Sequence, residues 1–443
     1  MPNIKRLALI LGDIAVLYLS LWFTLFIRYG ISFDFRIWQQ HFWPFTIIYL
    51  LWLTIFYIAG LYELTLARNS IDFYSTLLRG MLINIGLAIA FFYFIPYFGI
   101  TPKTNLFLNL VVFALLFSGW RQLYNHSVRT FAFASNVLII GKNKEIDQTI
   151  AVIKKNPQLG YKVIKHIGPE DIQTPFDLLE MATQKNIKTI ITAIDPHKNN
   201  RLVRSLYQCL PLKISFSDLP SFYEKILGKV PVSGIGEIWF LENLTESRKN
   251  FYEAFKRVCD MSGACIFGAI SLIFYPFIAL AIKIDSKGPV FYKQIRTGQD
   301  GQIFKVIKFR SMIEEAEKDG AQWANQQDHR ITRVGKFMRK TRIDELPQLW
   351  NVLVGQMSFI GPRPERIEFA QQLEKEIPYY QIRHIVKPGL TGWAQVNFRY
   401  GASVADSMEK LQYELYYIKH RSLVLDLSIL LRTIKIILGG LGR

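Results

Sequence analysis

The sequence predicts a membrane protein of mixed α and α/β class, built as three successive parts. Three observations predict it. Four apolar runs near the N-terminus each approach the ~20 residues a spanning helix needs. Between residues 131 and 241, short apolar runs alternate with amphipathic ones, as strands and helices do in a parallel sheet. A fifth apolar run, Ser262–Ile284, is broken by Pro276 inside an otherwise basic C-terminal region. Composition agrees: 50% of the 443 residues are hydrophobic and 14% aromatic, high for a soluble protein. A formal net charge of +18 points to an anionic partner: a membrane surface, nucleic acid or a phosphorylated substrate. Three scattered cysteines without a C-x-x-C pair argue against a disulfide framework or zinc site and for a reducing compartment. The first apolar run is long and has no small-residue cleavage site, so no cleavable signal peptide is expected.

Residues 1–130 form the expected four-helix transmembrane region, with runs at Leu7–Ile27, Trp43–Leu61, Leu77–Tyr97 and Leu106–Leu123. Lys5, Arg6, Arg68, Arg79, Arg121 and Arg129 flank one side, against Arg28, Arg36 and Lys103 on the other. This bias places the N-terminus and everything after Arg121 in the cytoplasm. Asp13 lies within the first run but less than two turns from Lys5 and Arg6, which favours an interfacial structural role over an intramembrane functional one.

Residues 131–241 form a second part. S-N-V-L-I-I-G reads as a buried parallel strand. Amphipathic stretches at Glu145–Lys155 and Asp177–Lys185 alternate with apolar runs at Thr189–Ala193 and Leu212–Phe216, giving a Rossmann-like α/β module. Gly141 is followed by K-N-K-E-I, so the G-x-G-x-x-G dinucleotide fingerprint is absent. A structural or regulatory role is expected.

Residues 242–443 form a mainly helical third part. Glu242–Lys256 reads as a polar connecting helix. Ser262–Ile284 is just long enough to span, but both flanks are basic: Lys249, Lys256 and Arg257 before, Lys283, Lys287 and Lys293 after. Pro276 breaks a helical hydrogen bond near its middle. A re-entrant helix, entering and leaving one leaflet over about residues 262–284, explains both features.

The chemistry concentrates after that segment. Ser286–Met312 carries glycines for close backbone approach and cations for phosphate, among them Arg296, Lys308 and Arg310. In R-I-D-E-L-P-Q-L-W-N-V-L-V-G-Q-M-S-F-I-G-P, Arg342–Pro362, the pair Asp344-Glu345 opens a short helix with Pro347 in its first turn. Asp344 falls where an N-cap would, at the positive end of that helix. Arg339, Arg342, Arg363 and their basic neighbours should keep a carboxylate there ionised, as a nucleophile or metal ligand requires. The string alone also reads as a plain cap with an acidic first turn. Met357–Arg366, Lys387–Asn397 and L-Q-Y-E-L-Y-Y-I-K, Leu411–Lys419, follow in order. His197, His329, His384 and His420 have no metal-ligand spacing.

Taken together, these strings closely resemble the bacterial sugar transferase family, the large membrane-bound phosphoglycosyl transferases, over about Phe251–Arg443. The resemblance implies transfer of a sugar-1-phosphate from a UDP-sugar to undecaprenyl phosphate with release of UMP and with Mg²⁺, at the cytoplasmic face of a bacterial inner membrane. This is the first membrane step of exopolysaccharide, O-antigen or capsule repeat-unit assembly. It implies Asp344 as nucleophile, Glu345 as metal-linked acid, Arg339 on phosphate and Arg363 on the nucleotide. Lys308, Arg310, Arg296 and Glu414 join Arg363 as substrate-binding candidates. Glu414 stands where the family has Asp, and Tyr275 where relatives have Ser before the membrane proline. Expected partners are the two substrates, inner-membrane lipid and a second copy in a homodimer, with no nucleic acid. A membrane-bound NAD-dependent nucleotide-sugar dehydratase or epimerase shares such an N-terminal half. It would need a second dinucleotide fingerprint and a Y-x-x-x-K pair in the C-terminal half, and no G-x-G-x-x-G lies there. A non-enzymatic scaffold leaves the acid and arginine cluster without purpose.

Overall fold

The computed structural model describes residues 2–64, 70–94, 103–130, 134–171, 175–194, 199–244, 249–314, 329–398 and 403–438. Its contacts divide the chain into two units, Met1–Leu219 and Pro220–Arg443.

In the first unit, four helices are long and apolar enough to cross a membrane: α1 (Pro2–Tyr29), α2 (Phe35–Ala59), α3 (Ile71–Phe94) and α4 (Lys103–Thr130). Asp34 caps α2, its Oδ1 accepting from Ile37 N at 2.8 Å, and Gly60 ends it in the left-handed region at φ 87°. Leu17, Phe45, Trp52, Phe56, Phe113 and Phe117 fill the bundle, while Leu11, Leu50, Leu82 and Leu115 face outward as in a lipid-exposed helix surface.

Asp13 is fully buried and pairs with Arg121 of α4 at 2.5 Å; Trp120 Nε1 also donates to it at 3.1 Å. The pairing gives Asp13 a structural role, with Arg121 as its partner. A charge inside an apolar bundle needs a matched partner, and α4 supplies one. Arg121 is accordingly an interior residue and drops out of the flanking-charge bias; Arg68 and the side chains of Lys103 and Arg129 lie outside the described residues.

The same unit holds a four-stranded parallel sheet of β1 (Ser135–Ile140), β2 (Tyr161–Ile167), β3 (Thr189–Thr192) and β4 (Ser215–Asp218), in the order β2-β1-β3-β4. Helices α5 (Lys144–Lys155), α6 (Pro175–Gln184) and α7 (Asn200–Gln208) connect the strands. Gly141 leaves β1 at φ 126°, and a Cβ there would lie 2.9 Å from that of Ala193.

The second unit is mainly helical. It begins along α8 (Leu219–Leu227) and α9 (Glu237–Asn243) and then builds α10 (Asn250–Leu272) and α11 (Tyr275–Asp285), which meet at a 58° bend. Pro276 sits in the first turn of α11, where its missing N–H leaves no helical bond unmade. Tyr275 fills the bend, its ring 4.8 Å from that of Phe309. The polar stretch before the apolar run is not a separate connector: Asn250–Lys256 is the opening of α10 itself.

Next come a hairpin of β5 (Phe291–Thr297) and β6 (Ile303–Phe309), then α12 (Arg333–Thr341) and α13 (Leu349–Val354). A parallel pair, β7 (Ser358–Ile360) and β8 (Gly389–Thr391), is joined through α14 (Ile367–Glu376). Helices α15 (Trp393–Asn397), α16 (Val404–His420) and α17 (Leu423–Leu438) close the described chain. Leu373, Ile377, Leu411, Leu415, Ile418 and Ile429 form the core beneath this half.

Candidate active site

The acid pair sits on a tight turn held from two sides. Thr332 caps α12, its Oγ1 accepting from Gly335 N at 3.0 Å, and α12 ends at Arg342 in the left-handed region, φ 59°. One stretch of 3-10 helix, Ile343–Gln348, follows before α13 begins. Asp344 thus lies inside that turn and is not a cap, and no side chain caps it. Asn351 of α13 ties the turn to the hairpin: its Nδ2 donates to Lys305 O at 2.8 Å and its Oδ1 accepts from Ile307 N at 3.3 Å. This brings Lys308 of β6 to the acids.

Around Glu345 the cations converge. Arg363 Nη2 lies 2.7 Å from Glu345 Oε1, Arg342 Nη1 3.3 Å and Lys308 Nζ 3.9 Å. Asp344 is buried, and its Oδ1 has no hydrogen-bond partner among the described residues. Arg339, in the last turn of α12, is oriented by Nε donating to Ser311 Oγ at 2.9 Å. Arg296 of β5 reaches the far side, donating to Pro364 O at 3.1 Å. Asp344, Glu345, Arg339, Lys308, Arg363 and Arg296 are therefore brought together from α12, the acid turn, the hairpin and the segment after β7.

The two carboxylates behave differently. Burial, reinforced by the Glu345 charge, pushes Asp344 up to about 6, against the pull of Lys308, Arg339 and Arg363. Burial would also raise Glu345, but Arg363, Lys308 and Arg342 overcome it and hold that carboxyl well below the usual range. Burial lowers Lys308 to about 8, with Glu345 opposing. The cations thus hold Glu345 ionised, as expected, whereas burial and the Glu345 charge leave the Asp344 carboxyl above the usual carboxylate range.

Two candidate residues lie elsewhere. Arg310 is buried and spends its guanidinium on the carbonyls of Ser286, at 2.9 Å, and Lys287, fixing the loop after α11. Glu414 is only 2% exposed, and Arg383 forks onto both its oxygens at 2.8 Å. Both side chains are engaged by protein here, although Arg310 Nε has no partner among the described residues. The same Arg383 donates to Arg363 O at 2.8 Å and to Tyr380 OH at 2.6 Å, so it holds the backbone of a site residue. Sequence reading missed Arg383, which stands in Q-I-R-H beside no other acid or base of the site.

Among the described residues no group of three or more His, Cys, Asp or Glu could hold a metal. The bare Asp344 Oδ1 beside Glu345 fits an ion such as Mg²⁺, which is bound through one or two carboxylates and completed by substrate phosphates and water.

Comparison with known proteins agrees. Residues 251–440 match the family described as bacterial sugar transferase. A UDP-N-acetylgalactosamine-undecaprenyl-phosphate N-acetylgalactosaminephosphotransferase of Aeromonas hydrophila is 44% identical over 242 residues, 54% of this chain and 56% of that protein. A UDP-glucose:undecaprenyl-phosphate glucose-1-phosphate transferase of Xanthomonas campestris is 32% identical over 348 residues, 72% of this chain and 70% of the relative. Another so named, from Klebsiella pneumoniae, is 29% identical across 96% of this chain and 93% of its own length. The chain belongs to the bacterial sugar transferase family, and it is a membrane enzyme of the glycosyl-phosphate transferase class.

Proposed function

We propose that the chain moves a sugar-1-phosphate from a UDP-sugar to undecaprenyl phosphate, releasing UMP, through a covalent intermediate on Asp344. The observation that carries this reading is the contrast within the acid pair. Glu345 is neutralised by three cations, while Asp344 keeps a buried oxygen without a partner beside them. A carboxylate nucleophile needs such an oxygen, and a diphosphate needs such cations.

Asp344 Oδ1 attacks the β-phosphorus. The bond from that phosphorus to the bridging oxygen breaks, and its electron pair leaves with UMP. Lys308, Arg339 and Arg363 offset the charge gathering on the departing and equatorial oxygens. A phosphate oxygen of the lipid then attacks the same phosphorus, the aspartyl–phosphorus bond breaks, and the carboxylate returns. Glu345, and Asp344 before it reacts, would hold Mg²⁺, which when bound supplies further neutralisation of the diphosphate.

The two substrates come from different phases, so the site belongs at a membrane surface. The bent pair α10–α11, basic at both ends, supports a re-entrant hairpin that keeps the C-terminal unit on the cytoplasmic face of the inner membrane. The parallel strand order supports a Rossmann-like reading of the preceding module. The sugars named in the relatives differ, so the donor class assigned is UDP-sugar.

Purified protein, given a panel of UDP-sugars, should release UMP catalytically only when undecaprenyl phosphate is present. A dehydratase or epimerase would consume the nucleotide sugar with no UMP, and that result would overturn the reading.

A further inference from the structure

At the root of α10, away from the acid turn, a cleft is lined by Lys256, Arg257, Lys387, Arg421, Glu253 and Asp260. Nearly all of these charges are already engaged. Lys256 pairs with Asp426 at 3.0 Å and Arg421 with Glu253 at 2.7 Å. Arg257 donates to the carbonyls of Val352 and Leu353, both at 2.7 Å, and Asp260 accepts from Phe359 N at 3.0 Å. Lys387 is the exception. It is half-buried and makes no hydrogen bond or ion pair with the described residues. A cation in such a cleft attracts an anion.

The space within the cleft, about 30 Å³, admits a water-sized group and no whole sugar or nucleotide. Its ligand must insert one polar atom and lie mostly outside. The same level of the chain shows what lies outside. On the outer side of α10, Phe251 is 82% exposed, with Phe255 and Val258 beside it; on α17, Val424 is 80% exposed, followed by Leu427. Apolar side chains at the same level as a cationic cleft mark the depth of lipid headgroups.

We propose that this cleft seats a phosphate oxygen of an anionic phospholipid headgroup, with Lys387 as its counter-ion. Burial lowers the Lys387 amine, with Arg257 adding to it and Asp260 and Glu253 opposing, and a seated anion would favour its charged form further. The backbone two residues on is coupled to the site: Gly389 N donates to Pro362 O at 2.8 Å, next to Arg363. A bound headgroup thereby fixes the height of the acid turn against the bilayer.

The test uses the full chain in nanodiscs of phosphatidylcholine alone or with phosphatidylglycerol. Acylation of Lys387 by an amine reagent is followed by peptide mass spectrometry, with exposed Lys188 as control. Phosphatidylglycerol should slow modification of Lys387 several-fold and leave Lys188 unchanged. Inorganic phosphate added to phosphatidylcholine discs should not protect. Lys387→Gln should lose the phosphatidylglycerol that wild type retains through mild detergent, and Lys387→Arg should keep it. Absent protection by phosphatidylglycerol, or equal retention by Lys387→Gln, overturns the proposal. Protection by inorganic phosphate alone overturns the lipid as the source.

Discussion

Arg363 Nη2 donates to Glu345 Oε1 at 2.7 Å, and this contact divides the labour of the acid pair. Glu345 becomes the fixed negative charge that gathers Arg363, Arg342 and Lys308. Asp344 is left as the nucleophile of the proposed reaction. Glu345→Gln removes both the gathering charge and the like charge that raises Asp344. Turnover should fall by about 100-fold or more, as for loss of one electrostatic group in a preorganised site. The acid limb of the rate profile should move to lower pH, and the apparent Mg²⁺ affinity should weaken. An unshifted acid limb and an unchanged Mg²⁺ titration would count against this division.

The wild-type pH profile follows from the shifts themselves. In the proposed reaction Asp344 attacks only when ionised, and its pKa is raised to about 6, so kcat/KM should fall as pH drops through 6. Lys308 serves only when charged, and its pKa is lowered to about 8, so the rate should fall again as pH rises through 8. Lys308→Arg, which does not deprotonate in this range, should lose the alkaline limb while keeping the acid one.

Arg383 touches no reacting atom in this reading, yet it holds Arg363 through its carbonyl and fills the Glu414 fork. Arg383→Ala would leave a buried carboxylate unpaired, costing roughly 3–5 kcal/mol. Thermal melting should drop by several degrees, and kcat should fall with it. Glu414→Asp retains the charge and should recover part of both relative to Glu414→Ala.

Topology is testable at positions the structure shows to be exposed. With Cys209, Cys259 and Cys265 replaced, Asn250→Cys and Lys287→Cys place thiols at the start of α10 and after α11. Both should resist an impermeant thiol reagent in intact cells and react after permeabilisation. Labelling of the second site from outside would show that α10 and α11 cross the bilayer.

The parts of this architecture that rest on local pattern were legible in the sequence. The four apolar helices and the strands at 135–140 and 189–192 follow from run length and flanking punctuation. Strand β2, Y-K-V-I-K-H-I, was not, because Lys162, Lys165 and His166 hide an edge strand among charges. The acid turn was legible as a site from the crowding of cations around D-E, but its geometry was misjudged. A left-handed Arg342 moves the helix start past Pro347, which no local rule signals. The roles of Asp13, Arg310 and Glu414 depended on partners about 25 to 110 residues away, Arg121, the 286–287 carbonyls and Arg383. Buried charges of this kind are assigned by tertiary pairing, which sequence spacing does not encode.

The most direct measurement concerns Asp344 itself. Wild-type protein is incubated with a UDP-sugar and Mg²⁺ but no lipid acceptor, quenched, digested and analysed by mass spectrometry. One equivalent of UMP should be released, and a sugar-phosphate should be found on the peptide containing Asp344, dischargeable by undecaprenyl phosphate. Asp344→Asn should give neither adduct nor UMP. An adduct on another residue, or catalytic turnover by Asp344→Asn, would contradict the assignment of Asp344 as the nucleophile.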